Sequence, residues 1–275
     1  MEVLTVAKLV SVPPSQRSTT NIWPVSLAFF DFACCEGCQL QVANLGSALL
    51  ELTKVIDIVN FREIMSEDGP EYDILVVEGS IASKHDEERL KKIASHAKII
   101  VALGACATTA GVNNLKNLKS LEEQKKIVYG DVDPVPDAIQ AKPIDEVVKV
   151  DYYIHGCPIY GPEFLKVMEC VLLGKPYRVP TYPVCVECKQ NENVCMYEKG
   201  QFCLGPVTRA GCNSWLPNNG APCVGCRGLI DNPAADAQKD ILEKYGLTVD
   251  EVLSKFTLYC AAKKETNKYG KEFKK

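Results

Sequence analysis

The stretch V-S-L-A-F-F-D-F-A-C-C-E-G-C, Val25–Cys38, decides the fold. Its first eight residues are almost continuously apolar, as a strand covered on both faces of a parallel sheet requires. The cysteines and the glycine that follow fall where that strand ends, and open α/β sheets gather ligands at the carboxyl ends of their strands. Four more runs read as strands: Val55–Asn60, Ile74–Glu78, Ile99–Leu103 and Tyr152–His155.

Helical signals fill the gaps. Leu40, Leu45, Ala48, Leu49 and Leu52 mark one apolar stripe, and Ser83 with Asp86 reads as a capping box that opens a helix over Lys84–Ala97. Ser120 with Glu123 opens a shorter one. Pro162 suits a first helical turn, with Phe164, Val167, Met168, Val171 and Leu172 at helical spacing before Gly174. Strands alternating with helices predict an α/β fold, a flavodoxin-like doubly wound parallel sheet over residues 25–175, preceded by an N-terminal extension, 1–24.

After Lys175 the pattern changes. Between Pro176 and Arg227 there is little periodicity, many Pro, Gly and Asn residues, and seven cysteines. Such a segment is expected not to pack a conventional core and to need a covalent or metal staple. Residues 176–275 are therefore expected to form an irregular cysteine-rich domain, with helical character returning at Asp236–Tyr245 and Val249–Phe256.

Composition narrows the function. The chain has 275 residues, 47% of them hydrophobic, and a net charge of −4 that gives no ground for nucleic-acid binding. Its 14 cysteines stand against 3 histidines. A disulfide framework belongs to short secreted chains, and metal ligation to reducing compartments. The start, M-E-V-L-T-V-A-K-L-V, has no basic region, long apolar run or twin arginine, and no run is long enough to span a bilayer. The expectation is a cytoplasmic protein whose cysteines serve as thiolates for metal.

The cysteines fall into three groups. Cys34, Cys35 and Cys38 follow the first strand, Cys106 the fourth and Cys157 the fifth, with Gly37, Gly104 and Gly156 beside them. Thiolates converging from three strand ends suit an iron–sulfur cube, for which Cys35, Cys38, Cys106 and Cys157 are the best four; buried apolar cysteines are the alternative. The second group is Cys185, Cys188, Cys195 and Cys203, and the third Cys212, Cys223 and Cys226. Their two C-x-x-C pairs also fit structural zinc, although seven cysteines exceed one four-ligand site.

The order C-x-G-C, G-A-C, G-C-P, C-x-x-C, F-C-L-G-P-V-T-R-A-G-C and G-A-P-C-V-G-C-R-G, from about Val25 to Gly228, resembles small subunits of nickel–iron hydrogenases, above all the cytoplasmic groups that couple hydrogen to nicotinamide, ferredoxin, deazaflavin or heterodisulfide chemistry. The resemblance implies a proximal 4Fe-4S cluster on Cys35, Cys38, Cys106 and Cys157, a distal 4Fe-4S cluster on Cys185, Cys188, Cys195 and Cys203, and a medial cluster on Cys212, Cys223 and Cys226. Related cytoplasmic subunits carry a fourth medial cysteine near the position of Leu216. Membrane-linked relatives have proline there and a 3Fe-4S cluster, so a trinuclear medial cluster is expected, with a 4Fe-4S cluster completed by a non-cysteine ligand as its rival.

No R-x-C-G-x-C motif of the hydrogen-cleaving large subunit occurs here. The resemblance thus implies that hydrogen is cleaved on a partner large subunit, and that electrons pass to a flavin or iron–sulfur exchange subunit. A homologous subunit of respiratory complex I has adjacent cysteines that both bind its cluster, which leaves the role of Cys34 open. Glu36 and Glu78 are expected as hydrogen-bonded or solvated carboxylates, His155 as a packed imidazole, and Arg209 and Arg227 as cations that offset cluster charge. Cys170 is expected in the core, and Cys260 as structural or exposed.

Overall fold

The computed structural model describes residues 25–66, 68–130, 137–230, 244–246, 255 and 257–259. The five apolar runs form five parallel strands, β1 (Val25–Asp31), β2 (Ile56–Asn60), β3 (Ile74–Glu78), β4 (Ile99–Leu103) and β5 (Tyr152–Ile154), in the order β2-β1-β3-β4-β5. This is the doubly wound order expected from the alternation of strands and helices.

Strand side chains alternate between two apolar layers. Phe29, Val76, Val101 and Ile154 face one, and Ala28, Leu75, Val77 and Ala102 face the other. The first layer is closed by α1 (Gly37–Ala43), α2 (Ser47–Leu52) and α6 (Gly161–Leu172) through Val42, Leu49 and Phe164. The second is closed by α3 (Lys84–Ala94) and α4 (Gly104–Thr109) through Leu90 and Ala107. A helix α5 spans Leu121–Tyr129. Complete burial of a side chain such as Phe164 contributes about 1.5–3 kcal/mol.

The expected caps are present. Asp86 N–H donates to Ser83 Oγ at 3.0 Å, and Glu123 N–H donates to Ser120 Oγ at 3.1 Å. Pro162 lies in the first turn of α6. Two boundaries differ from expectation. The stripe from Leu40 to Leu52 is two helices, because Gly46 takes φ 57° between them. Leu40 consequently faces outward. Helix α3 ends at Ala94 rather than Ala97, with Ser95 Oγ bonded back to Lys92 O.

The second half packs a small core of its own, contrary to the expectation of none. Val184, Met196, Tyr197, Leu204 and Val207 are buried together with Cys203 and Cys223. It carries two short helices, α7 (Val184–Gln190) and α8 (Trp215–Asn218). The expected N-terminal extension and most of the expected tail helices lie outside the described residues. Within the described tail, Tyr245 stacks on Tyr197 at 5.2 Å, and Lys255 lies over the Phe202 ring at 5.4 Å. Among the described residues no helix is long and apolar enough to cross a membrane.

Asp73 ties the starts of three strands together. Its carboxylate accepts from Ser26 N–H and Oγ–H at 3.1 and 3.0 Å and from Lys98 Nζ at 2.7 Å. Burial alone would raise its pKa, but these donors outweigh burial and hold it below the ordinary range. The stabilisation is therefore complete above about pH 3.9 and is lost as pH falls through the depressed value. Asp73→Asn is expected to lower unfolding free energy by about 1 kcal/mol at neutral pH, with the difference fading in acid, as read by chemical denaturation.

Candidate functional site

The first thiol group collects at the carboxyl edge of the sheet. Cys34 and Cys35 follow β1, Cys38 lies in the first turn of α1, Cys106 is in α4 directly after β4, and Cys157 follows β5 at a cis peptide bond to Pro158. Glu78, at the end of β3 and only 2% exposed, sets this arrangement. Its carboxylate accepts the N–H groups of Cys38 and Gln39 at 3.1 and 3.0 Å, which fixes where α1 begins. Burial raises the Glu78 pKa, against the pull of those donors. Gly104 must lack a side chain, since a Cβ there would stand 2.3 Å from Cys38 Sγ.

These sulfurs share one volume. Burial pushes the Cys106 thiol up to about 12, and Cys157, Cys34, Glu78 and Cys35 add to the shift as nearby negative charges. Cys34 is likewise raised to about 12, by burial and then by Glu78. Several thiolates so close in a poorly solvated site repel one another unless cations lie between them.

The second group surrounds α7. Cys185 and Cys188 lie on that helix, and Cys195 and Cys203 on the segment after it. Burial lifts Cys185 to about 12, with Cys203, Cys188 and Cys195 as its charged neighbours. The N–H groups of Gly205 and Cys223 donate to Cys203 Sγ at 3.4 and 3.3 Å. Gly205 lets the backbone approach, since a Cβ there would meet Cys185 Sγ at 3.3 Å and Cys203 Sγ at 3.4 Å.

The third group lines a cavity of about 210 Å³. Cys212, Cys223 and Cys226 contribute thiols to it, Trp215, Leu216 and Pro217 an apolar wall, and Cys157 and Pro158 the side belonging to the sheet half. One water needs roughly 10–15 Å³ of such space, so the cavity suits a polyatomic group bound by sulfur. The Cys212 loop is held by Glu187, which sequence reading did not single out. This buried carboxylate accepts Gly211 N–H at 2.7 Å and Ser214 N–H at 3.0 Å. Cys157 and Cys226 line this cavity together, so the first and third groups adjoin.

Two arginines join the halves. Arg227, 1% exposed, donates to Glu163 Oε2 and Oε1 at 2.6 and 2.8 Å, to His155 O at 2.5 Å and to Ala210 O at 2.9 Å. Its charge is paired with Glu163 and also bears on Cys212 and Cys226, whose thiolates it favours. Arg209 donates from Nη1 to His155 Nε2 at 3.1 Å, which leaves Nδ1–H to bond Thr108 Oγ1 at 3.0 Å. His155 is thus a packed, hydrogen-bonded imidazole. Glu36 pairs with Arg62, which also meets Asp31 at 3.0 Å. Cys170 is half-buried beside Tyr152 and Lys175 rather than in the core, and Cys260 lies outside the described residues.

Iron–sulfur clusters fit this donor set. The thiols lie in three separate groups, the second carries backbone N–H donors aimed at sulfur, and the third opens on an apolar cavity. Among the described residues no three His, Cys, Asp or Glu side chains converge as on a single metal ion.

A family model described as "NADH ubiquinone oxidoreductase, 20 Kd subunit" matches residues 35–171. The chain is 35% identical to sulfhydrogenase 2 subunit delta of Pyrococcus furiosus over 211 residues, 76% of this chain and 88% of that one. It is 30% identical to a subunit of the F420-non-reducing hydrogenase vhu of Methanococcus voltae over 263 residues, 83% of this chain and 90% of that one. The fold is shared with a chain of the actinobacterial-type NiFe-hydrogenase from Ralstonia eutropha, with a TM-score of 0.54 and 16% identity over 90% of this chain and 94% of that one. Fold and thiol groups together define the class, a cysteine-rich α/β subunit of an oxidoreductase. The chain belongs to the family of hydrogenase small subunits.

Removing one partner of the Arg227–Glu163 pair leaves the other charged and buried. Arg227→Met or Glu163→Leu is expected to cost about 3–5 kcal/mol in thermal or chemical unfolding. The Arg227→Met/Glu163→Leu double variant is expected to cost less than the sum of the singles.

Proposed function

We propose that this chain is the electron relay between the nickel–iron site of a partner large subunit and a second redox module, and that it works in the cytoplasm. Cys35, Cys38, Cys106 and Cys157 hold a 4Fe-4S cluster in the sheet domain, 25–175. Cys185, Cys188, Cys195 and Cys203 hold another in the domain 176–275, and Cys212, Cys223 and Cys226 hold the cluster between them. The redox module is a flavin or iron–sulfur subunit that serves NAD(P), ferredoxin or a similar carrier.

The observation that carries this reading is the continuity of the three thiol groups. Cys157 lines the same cavity as Cys212, Cys223 and Cys226, and Cys223 N–H donates to Cys203 Sγ at 3.3 Å, so neighbouring groups adjoin along the whole line. The clusters, when bound, supply one-electron carriers whose potentials follow net charge, hydrogen bonds to sulfur and exposure. The protein supplies the rest. The thiols release protons on taking up metal, the Gly205 and Cys223 amides stabilise negative charge on Cys203, and Trp215, Leu216 and Pro217 keep water from the central cavity.

Leu216 and Pro217 form the wall where a fourth thiol would stand, which supports a trinuclear central cluster. The zinc-stapled alternative is not favoured by the number of thiols, since seven cysteines in the second half exceed one four-ligand site. A subunit like that of complex I is not favoured either, since the matched family segment ends at residue 171, before the seven later cysteines.

Purified protein is expected to contain about eleven iron atoms with acid-labile sulfide, and to show a 3Fe-4S electron-paramagnetic signal when oxidised. Leu216→Cys is expected to convert that signal toward a 4Fe-4S one. Zinc without sulfide would overturn the relay, and about twelve irons with no 3Fe-4S signal would overturn the trinuclear assignment.

A further inference from the structure

Helix α7 carries two cysteines of the second thiol group and also holds the loop of the third. Glu187 stands between Cys185 and Cys188, and its buried carboxylate accepts Gly211 N–H at 2.7 Å and Ser214 N–H at 3.0 Å, one on each oxygen. From the end of the same helix, Asn191 Nδ2–H donates to Asn213 O at 3.1 Å and to Ser214 Oγ at 2.8 Å. The residues that receive these bonds are strained, since Asn213 and Ser214 both carry side chains and take φ 52° and 49° in succession. Such a turn persists only where its surroundings over-determine it. It follows directly on Cys212 and opens α8, whose Trp215, Leu216 and Pro217 form the apolar wall of the central cavity. Ser214 Oγ–H extends the network to Asn218 Oδ1 at 2.7 Å, at the end of α8. A thiol lies on one side of the turn and the cavity wall on the other.

We propose that Glu187, backed by Asn191, is a positioning residue of the relay: it ties the helix that bears Cys185 and Cys188 to the left-handed turn beside Cys212, and so fixes the spacing of the second and third thiol groups. This rests on the relay reading above and deepens it, by assigning the control of one electron step to hydrogen bonds on the backbone. Two oxygens on one side chain satisfy two amides of a buried turn, which a single-acceptor group could not do. Without them the turn relaxes toward right-handed backbone, which Asn and Ser prefer, and Cys212 moves together with the Trp215–Pro217 wall. Electron tunnelling falls exponentially with separation, so a loosened turn slows passage between these two groups. Cys226, which shares the cavity with Cys157, takes no part in these bonds, so the gap to the first group is expected to change least.

Glu187→Gln keeps the size of the side chain, but its amide nitrogen cannot accept, so one of the two N–H groups loses its partner. In the intact complex, hydrogen–deuterium exchange read by mass spectrometry is expected to become several-fold faster over Gly211–Ser214. Glu192→Gln, which removes an exposed charge from the same segment, is expected to leave that exchange unchanged. Rapid freezing after mixing with hydrogen, read by electron paramagnetic resonance, is expected to show reduction of the distal cluster slowed several-fold in Glu187→Gln. The oxidised medial signal is expected to broaden, with KM for hydrogen unchanged. Asn191→Ala is expected to give the same changes at smaller size. Unchanged exchange, or an unchanged rate of distal reduction, in iron-replete Glu187→Gln would overturn the proposal. If that variant does not assemble, Asn191→Ala decides: normal exchange and normal distal reduction overturn the proposal. Absence of iron and sulfide from the unsubstituted protein would be the separate failure of the relay reading.

Discussion

The arrangement of the site depends on one buried guanidinium. Arg227 comes from the cysteine-rich half, and its donors go to the Glu163 carboxylate on α6, to the carbonyl of His155 at the end of β5, and to the carbonyl of Ala210. A planar fork of fixed donors suits four acceptors in fixed directions, which a lysine or an apolar contact could not match. Such a pair adds little net stability compared with a well-packed apolar pair, because both charges lose their hydration. Its effect lies in geometry. His155 is two residues from Cys157, and Arg227 is next to Cys226, so the bond that docks the halves also sets the distance between two thiol groups.

Two other carboxylates work on a smaller scale in the same way. Glu78 receives the N–H groups of Cys38 and Gln39, and Glu187 those of Gly211 and Ser214. Each is buried and each takes the exposed amides of a cysteine-bearing turn, where donors would otherwise lack partners. The loops that carry Cys38 and Cys212 are therefore fixed by the protein itself. The sulfurs are not at rest in the same sense. Burial holds Cys34, Cys106, Cys185 and Cys226 near 12, helped by nearby carboxylates at Cys34 and by neighbouring thiols at the other three, so these four keep their protons in the metal-free site. Metal uptake and proton release are then one event, and the small core of the second half, with Cys203 and Cys223 in it, gains stability from that event.

Much of this was legible in the sequence, for identifiable reasons. Strands buried on both faces must be apolar along their length, so β1 to β5 stood out to within a residue or two. Ser83, Ser120 and Pro162 are local signals whose structural meaning depends on the next few residues only, and each is found in its expected role. The stripe from Leu40 to Leu52 misled because the left-handed turn at Gly46 breaks it, and a single glycine within a helical pattern does not announce its φ.

The sequence by itself determined the α/β class, the division into a periodic half and an irregular one, and the cysteines that stand at strand ends, because these follow from spacing along the chain. Only the tertiary structure decided which charges are free and which groups touch. Arg227 bonds Glu163, 64 residues away, and Glu187 holds the Cys212 loop. No short-range pattern encodes such contacts, since hydrogen bonds to buried groups are chosen by what the packed core leaves nearby.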